Sequence, residues 1–418
     1  MKPLDTIQAG LALRDALLQA SAWEEVEPLL EKRGMPLSVV RERLKPRVPF
    51  DPHNHTMYSD GLFSCTQLVW WCKAVGLRGI GITDHDNIHP ELADAIDEGE
   101  RLGVRVAPGM EFTLNRVGGQ TWKGLELNVH FFPPKDFATF LRSEDGAAFC
   151  KRFEAANKMK TEQAWATLER VNARWIPELG LTPIAREELF DMSGRVDPVC
   201  PSTITVLVME RMFKGQRNDL LSRFPDTRSL YTHMHTHDLI PPLETGPRTI
   251  DDLAEMLDEL RKHGIRSVAT INHPEECMTK GKMVLPSGAP DREAFLRLFT
   301  LIRLHDPLRV PIAFLETYTA RNTPTTRWFL SELLGDLESM REQYFTSIPE
   351  IMPIASSDSH RVTGYLDENN QVQGWPMGED FIFGIGKVNT ENPSGNVEIP
   401  LDYPDTDTIL EIMNKAAR

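Results

Sequence analysis

Long apolar runs are missing from this chain. No stretch of its 418 residues approaches the roughly eighteen consecutive apolar positions of a membrane-spanning helix. The N-terminal segment mixes charged and apolar residues where a secretory signal would hold an unbroken apolar run, so the expectation is a cytoplasmic protein with no membrane partner. Cysteine is scarce: Cys65, Cys72, Cys150, Cys200 and Cys277 form no CxxC pair and are odd in number, which speaks against a disulfide framework. Positive charge is short as well. Lys and Arg number 46 against 61 Asp and Glu, a formal net charge of -15, which argues against a protein that coats nucleic acid or an anionic membrane, since both need clustered Lys and Arg. No GxSxG elbow or GxGxxG turn occurs, and Gly384-Ile385-Gly386-Lys387 lacks the spacing and the Ser/Thr of a phosphate loop. Serine-hydrolase and nucleoside-triphosphate readings fall away.

What is present is a globular α/β pattern, 41% hydrophobic and 26% charged. Residues 1–47 alternate at helical spacing and read as a helical N-terminal extension. From Phe50 onward, short β-rich runs end in His, Asp or Glu: PFDPHNH at His55, RGIGITDH at His85, VRVAPGMEF around Glu111, LELNVHF around His130, SVATINH at His273, IAFLETY around Glu316 and MPIASSDSH at His360. Helical stretches fall at 65–75, 90–102, 249–263, 292–305, 325–344 and 406–417. Seven strands alternating with helices predict parallel βαβ units with functional groups gathered where strands end. Residues 48–135 and 247–418 form this α/β body, and 136–246, largely helical, reads as an insertion over its mouth.

The strongest local signal is His53-Asn54-His55, since two histidines at i and i+2 on a strand share a face and can hold one cation. Ser59-Asp60-Gly61, Thr83-Asp84-His85-Asp86, Gly109-Met110-Glu111, His130, Asn272-His273-Pro274 and Asp358-Ser359-His360 follow. Any one of these histidines alone reads as a hydrogen-bonded core residue. Together they would bury many imidazoles and carboxylates, which costs several kcal/mol per ionised group unless a metal compensates. Imidazole with carboxylate and no thiolate suits Zn, Mn or Fe.

In its ordered motifs HNHT…SDG, TDHD, PGMEF, NVHF, NHP and SDSH, the stretch from about residue 49 to 361 resembles the polymerase and histidinol phosphatase (PHP) family of metal-dependent phosphoesterases. The resemblance implies a distorted seven-stranded (β/α)7 TIM-like barrel with two or three divalent metal ions at one mouth. It implies that His53, His55, Glu111 and Asp358 hold the first metal, with Glu111 bridging to a second that His130 and His273 complete. Asp60, His85 and His360 would take the third. A metal-bridging hydroxide would then attack phosphorus in line, and the expected partner is a small phosphorylated substrate.

Asp84 and Asp86 are candidates to orient His85 or a bound water, or else turn carboxylates. Arg321, Arg361 and Arg195 are candidates to meet phosphate. Family members acting on nucleotides carry an Arg-x-His pair in the insertion; here Pro198 to Thr205 reads PVCPSTIT, which speaks against a nucleotide. His233, His235 and His237 read as a polar loop or else as lining the roof, and His89 as a cap of the next helix or a substrate neighbour. Trp70-Trp71 reads as the core face of a helix. Rival readings are a metal-dependent hydrolase of a non-phosphate bond, a nuclease or phosphodiesterase, and a binding module stabilised by metal.

Overall fold

The computed structural model describes residues 3–46, 48–224, 227–243, 248–319, 324–360, 365–366, 372–373 and 403–418. Seven strands form its main sheet: β1 (Phe50–Asp51), β2 (Gly79–Ile82), β3 (Arg105–Thr113), β4 (Glu126–Phe132), β5 (Arg266–Ile271), β6 (Ile312–Thr319) and β7 (Met352–Ser356). They pair in chain order. Most are buried along nearly their whole length, as in a sheet covered on both faces. Past its end, β1 continues to Asn54, which bridges in parallel to Ser359 beyond β7, and the His55 N–H donates to the Ser359 carbonyl at 2.9 Å. Asp51 accepts from the Ser357 amide (3.0 Å) and hydroxyl (2.6 Å) across the same seam. The sheet thereby nearly closes into an α/β barrel.

One strand runs against the expected all-parallel order: β4 pairs antiparallel with both β3 and β5, while the other four pairings are parallel. The cause is the connection. Residues 114–125 carry a small hairpin (Arg116–Val117 with Gln120–Thr121) and no helix, so the chain turns straight back instead of crossing over.

Three helices precede the barrel, Pro3–Gln19, Val26–Lys32 and Leu37–Arg43. Leu11, Leu13, Leu17 and Leu30 join the core that contains Leu68, Trp70 and Trp71 of the helix Cys65–Val75, and Gln67 Nε2 donates to the Leu17 carbonyl at 3.0 Å. At the chain's end, helix Thr406–Ala416 covers the base of the barrel. Ile409 and Met413 pack with Phe50, Val268 and Phe314, and Thr406 Oγ1 donates to the Pro49 carbonyl at 2.6 Å.

Between β4 and β5 lies a run of helices. The longest, Glu144–Arg170, has 27 residues and so spans about 40 Å. Phe149 near its start belongs to the barrel-side core, whereas Ala164 and Leu168 belong to a second core with Trp175, Leu207, Met209 and Leu230. Because β4 ends at the base, this helix is the strut that carries the insertion up to the mouth. No described helix is long and apolar enough to cross a membrane.

Candidate metal centre

His53 and His55 leave β1 on alternate positions and face the barrel interior, both fully buried. Their Nε2 atoms lie 3.0 Å apart. Asp358 Oδ1 sits 3.0 Å from His55 Nε2 and 3.3 Å from His53 Nε2; Glu111 Oε1 is 3.3 Å from His53 Nε2, and Glu111 Oε2 is 3.4 Å from His55 Nε2. A cation held tetrahedrally with bonds of about 2.0–2.1 Å separates its ligand atoms by roughly 3.3 Å. The four side chains therefore already stand at the edges of a coordination polyhedron, and the donor set fits a divalent metal. Asp358 reaches this position from a left-handed backbone (φ 52°), a strained conformation for a non-glycine residue.

Further donors adjoin. His273 Nε2 lies 3.0 Å from Glu111 Oε1 and 3.3 Å from Glu126 Oε2. His85 Nδ1 lies 2.7 Å from Glu111 Oε2, while its Nε2 is 3.7 Å from Asp60 Oδ1. His360 Nε2 is 3.4 Å from the same Asp60 oxygen. Asp60 is brought in by a tight loop in which the Gly61 N–H donates to the Thr56 carbonyl at 2.8 Å. A Cβ at Gly61 would stand 2.3 Å from the His55 carbonyl oxygen, so only glycine lets the loop close. Among the described residues, five overlapping groups of three or more ligand-type residues result: His55, Asp60, His85, His360; His53, His55, Glu111; His53, His273, Asp358; His85, Glu111, Glu126; and Glu126, His273, Glu276.

The electrostatics oppose each other at close range. Burial pulls His53 down, but the carboxylates of Asp358, Glu111 and Glu316 outweigh it and hold the imidazole well above its ordinary pKa. His55 goes the other way, to about 3, through burial and the nearby His360 and His85. Burial raises Glu111, yet His53 and His85 hold it well below the ordinary carboxylate range. Such crowding of opposed groups is typical of functional sites.

Above the mouth is a cavity of about 640 Å³. Asp60, His85, Asp358 and His360 line its floor, and Lys160, Gln163, Ser202, Thr205, Tyr231 and Thr232 of the insertion line its roof.

Residues 51–199 match the family model of the PHP domain. Over that stretch the chain is similar to a PHP domain. Comparison with curated proteins finds no match. Among solved structures, an inferred metal-dependent phosphoesterase from Bifidobacterium adolescentis is 15% identical over 88% of this chain and 96% of its own, with a TM-score of 0.49. An amidohydrolase from Chromobacterium violaceum, solved with bound sulfate and no metal, is 15% identical over 78% of this chain and 90% of its own, with a TM-score of 0.43. The matched stretch holds six of the donor residues at this mouth, His53, His55, Asp60, His85, Glu111 and Glu126.

Several expectations for the side chains of the site change. His130 joins none of the five groups: its Nε2 lies 2.9 Å from the Pro52 carbonyl oxygen and its Nδ1 is buried without a partner. The reversed direction of β4 is the reason, since the start of this strand, not its later part, meets the mouth. Glu126, four residues earlier on the same face, reaches the groups instead. Asp84 turns away from the donors and accepts from the Thr56 amide (2.7 Å), the Thr56 hydroxyl (2.6 Å) and the Ser59 hydroxyl (2.6 Å), pinning the loop that carries Asp60. Asp86 lines the cavity but is engaged by the Thr113 amide (3.0 Å) and by Arg248. Arg195 is exposed and paired with Asp191 at 2.7 Å, and it does not line the cavity. Arg321 and Arg361 lie outside the described residues.

The three alternating histidines sit on helix Thr227–Thr236 and the turn after it rather than in a polar loop. His233 stacks on Trp175 and His237, while Tyr231 and Thr232 of that helix line the roof. His89 caps: its Nδ1 accepts from the Glu91 amide at 3.2 Å. Sequence reasoning missed Glu126, Glu276, Glu316 and Lys160 as participants. The alternation of LELNVHF was the available signal for Glu126; Lys160 had none.

Proposed function

We propose that this chain is a metal-dependent phosphoesterase that hydrolyses a small phosphomonoester, with residues 48–135 and 247–418 as the catalytic barrel, 136–246 as its roof and 1–47 as a buttress. The observation that carries the reading is the sharing of donors: Glu111 and His55 each belong to two of the five groups. Neighbouring positions with shared ligands suit two or three ions of Mn, Fe or Zn. When bound, such ions supply Lewis-acid polarisation of a phosphoryl oxygen and bring the pKa of water toward neutrality.

The residues supply position. Glu316 Oε1 takes His53 Nδ1 at 3.0 Å and its Oε2 accepts from the His273 amide at 2.5 Å, so one buried carboxylate orients two ligand residues. Asn272 Nδ2 donates to Glu111 Oε1 at 2.7 Å, and Asp84 fixes the Asp60 loop. Phosphoryl transfer is catalysed by this kind of positioning together with charge stabilisation. The roofed cavity suits a small molecule rather than a polymer.

The basic segment near Arg41 gives no support to a nuclease. Arg41 donates to the carbonyls of Ala74 (3.3 Å) and Lys73 (3.4 Å), at the C-terminal end of a helix whose N-terminal end lies toward the mouth. The test is release of inorganic phosphate from a panel of small phosphomonoesters, run beside diesters and carboxamides. Selective monoester turnover is the expected result, and turnover confined to diesters or carboxamides would overturn the reading.

A further inference from the structure

Lys160 lies on the strut helix Glu144–Arg170 at the level of the mouth, and only 14% of its side chain is exposed. It lines the same cavity as Asp60, His85, Asp358 and His360. Its Nζ donates to the carbonyl of His85, a candidate ligand, at 2.9 Å. The nearest carboxylate, Asp86 Oδ2, is 3.9 Å away, and the other oxygen of Asp86 is already paired with Arg248. Lys160 is thus a largely desolvated ammonium with three donors, one of them used, and with no close carboxylate of its own. A cation is costly to desolvate without an anion close beside it, and here the ammonium has only the long contact to Asp86 and faces the cavity.

The position is held from the neighbouring turns of the helix. Thr161 Oγ1 donates to Asp197 Oδ1 at 2.9 Å and accepts from the Val199 amide at 3.0 Å. Gln163 Nε2 donates to the Pro241 carbonyl at 2.7 Å. The insertion is tied to the helix within the turn that follows Lys160, so the ammonium is presented at a fixed height above the donor groups.

We propose that Lys160 is the residue of the roof that binds the substrate's phosphoryl group, its ammonium donating to a non-bridging oxygen while the ester is held over the donor groups. The proposal rests on the phosphoester reading and assigns to the insertion a part in specificity for a tetrahedral anion. Roof residues beside it, Ser202, Thr205, Tyr231 and Thr232, are neutral, and the cavity's other lysine, Lys280, is paired with Glu276, so the charge of the phosphoryl group falls to Lys160.

The experiment is titration calorimetry of the metal-loaded full chain with inorganic phosphate, for wild type, Lys160→Met and Lys160→Arg, beside steady-state kinetics on a phosphomonoester. Melting temperature and metal content serve as controls for folding and for the donor groups. The expected result is a loss of phosphate affinity of about tenfold or more in Lys160→Met, with partial recovery in Lys160→Arg. The same variants should raise KM more than they lower kcat. Phosphate binding equal to wild type in Lys160→Met would overturn the role of Lys160 and leave the phosphoester reading standing. A wild-type chain that neither binds phosphate nor releases it from any monoester would overturn that reading and this proposal with it.

Discussion

Glu316 Oε1 lies 3.0 Å from His53 Nδ1, with both side chains buried. A carboxylate on Nδ1 sets the tautomer of the ring and leaves Nε2, the atom facing His55, Asp358 and Glu111, as the ligand atom. Glu316→Gln keeps the shape and removes the charge. The expected outcome is a metal affinity about 10–100-fold weaker with an unchanged fold, read by competition with a chelating dye. Wild-type affinity in that variant would show that His53 is oriented without Glu316.

Asp84 and Thr56 test the loop rather than the ligands. Asp84→Ala would strand the Thr56 amide and the Thr56 and Ser59 hydroxyls in a buried place. Since an unsatisfied buried donor costs about 1–3 kcal/mol, a loss of roughly 3 kcal/mol is expected after partial rehydration. Urea denaturation measures it. A change below about 0.5 kcal/mol, the scale of an ordinary surface substitution, would mean that Asp84 does not pin the Asp60 loop.

Glu126 and His130 separate the structure's reading from the motif's. Glu126→Gln should lower the metal bound per chain, because Glu126 stands in two of the donor groups. His130→Gln should retain the wild-type metal content, because His130 stands in none and its Nε2 faces the Pro52 carbonyl. The reverse pattern by elemental analysis would return His130 to the ligand set.

His89 offers a pH signature outside the donor groups. Its ring stacks on Tyr58 at 3.4 Å, and burial holds its pKa below the ordinary imidazole value. The folded state therefore favours neutral His89, while the unfolded chain takes up the proton near about pH 6.5. The contribution to stability is complete above that pH and is lost as pH falls through the lower folded value. Wild type should thus lose stability from pH 7.5 to pH 5 more steeply than His89→Leu, by urea midpoint. Equal slopes, or a His89 NMR titration above pH 6.5, would contradict this.

Much of the barrel was legible in the residues themselves. The seven β-rich runs each overlap an observed strand, and Thr249 with Asp252 forms the capping box that starts helix Ile250–Lys262, because local propensity and caps act over a few residues. His53 and His55 face the same side, as their alternation implied, although both lie past the end of β1 (Phe50–Asp51). Direction is another matter, since hydrophobic periodicity is the same for a strand read either way; the hairpin-length link before Glu126 was the cue for β4. Pairings made across the chain left no local trace. Glu316 under His53, Arg248 on Asp86 and Lys160 above His85 each join segments far apart in sequence, and only the closed barrel and its strut bring them together.

The most direct test of the central claim, that this mouth is a centre for more than one divalent ion, is elemental analysis of metal per chain on protein purified without chelator. About two or three equivalents of Mn, Fe or Zn are expected. One equivalent or none, persisting after reconstitution with each metal in turn, would contradict it.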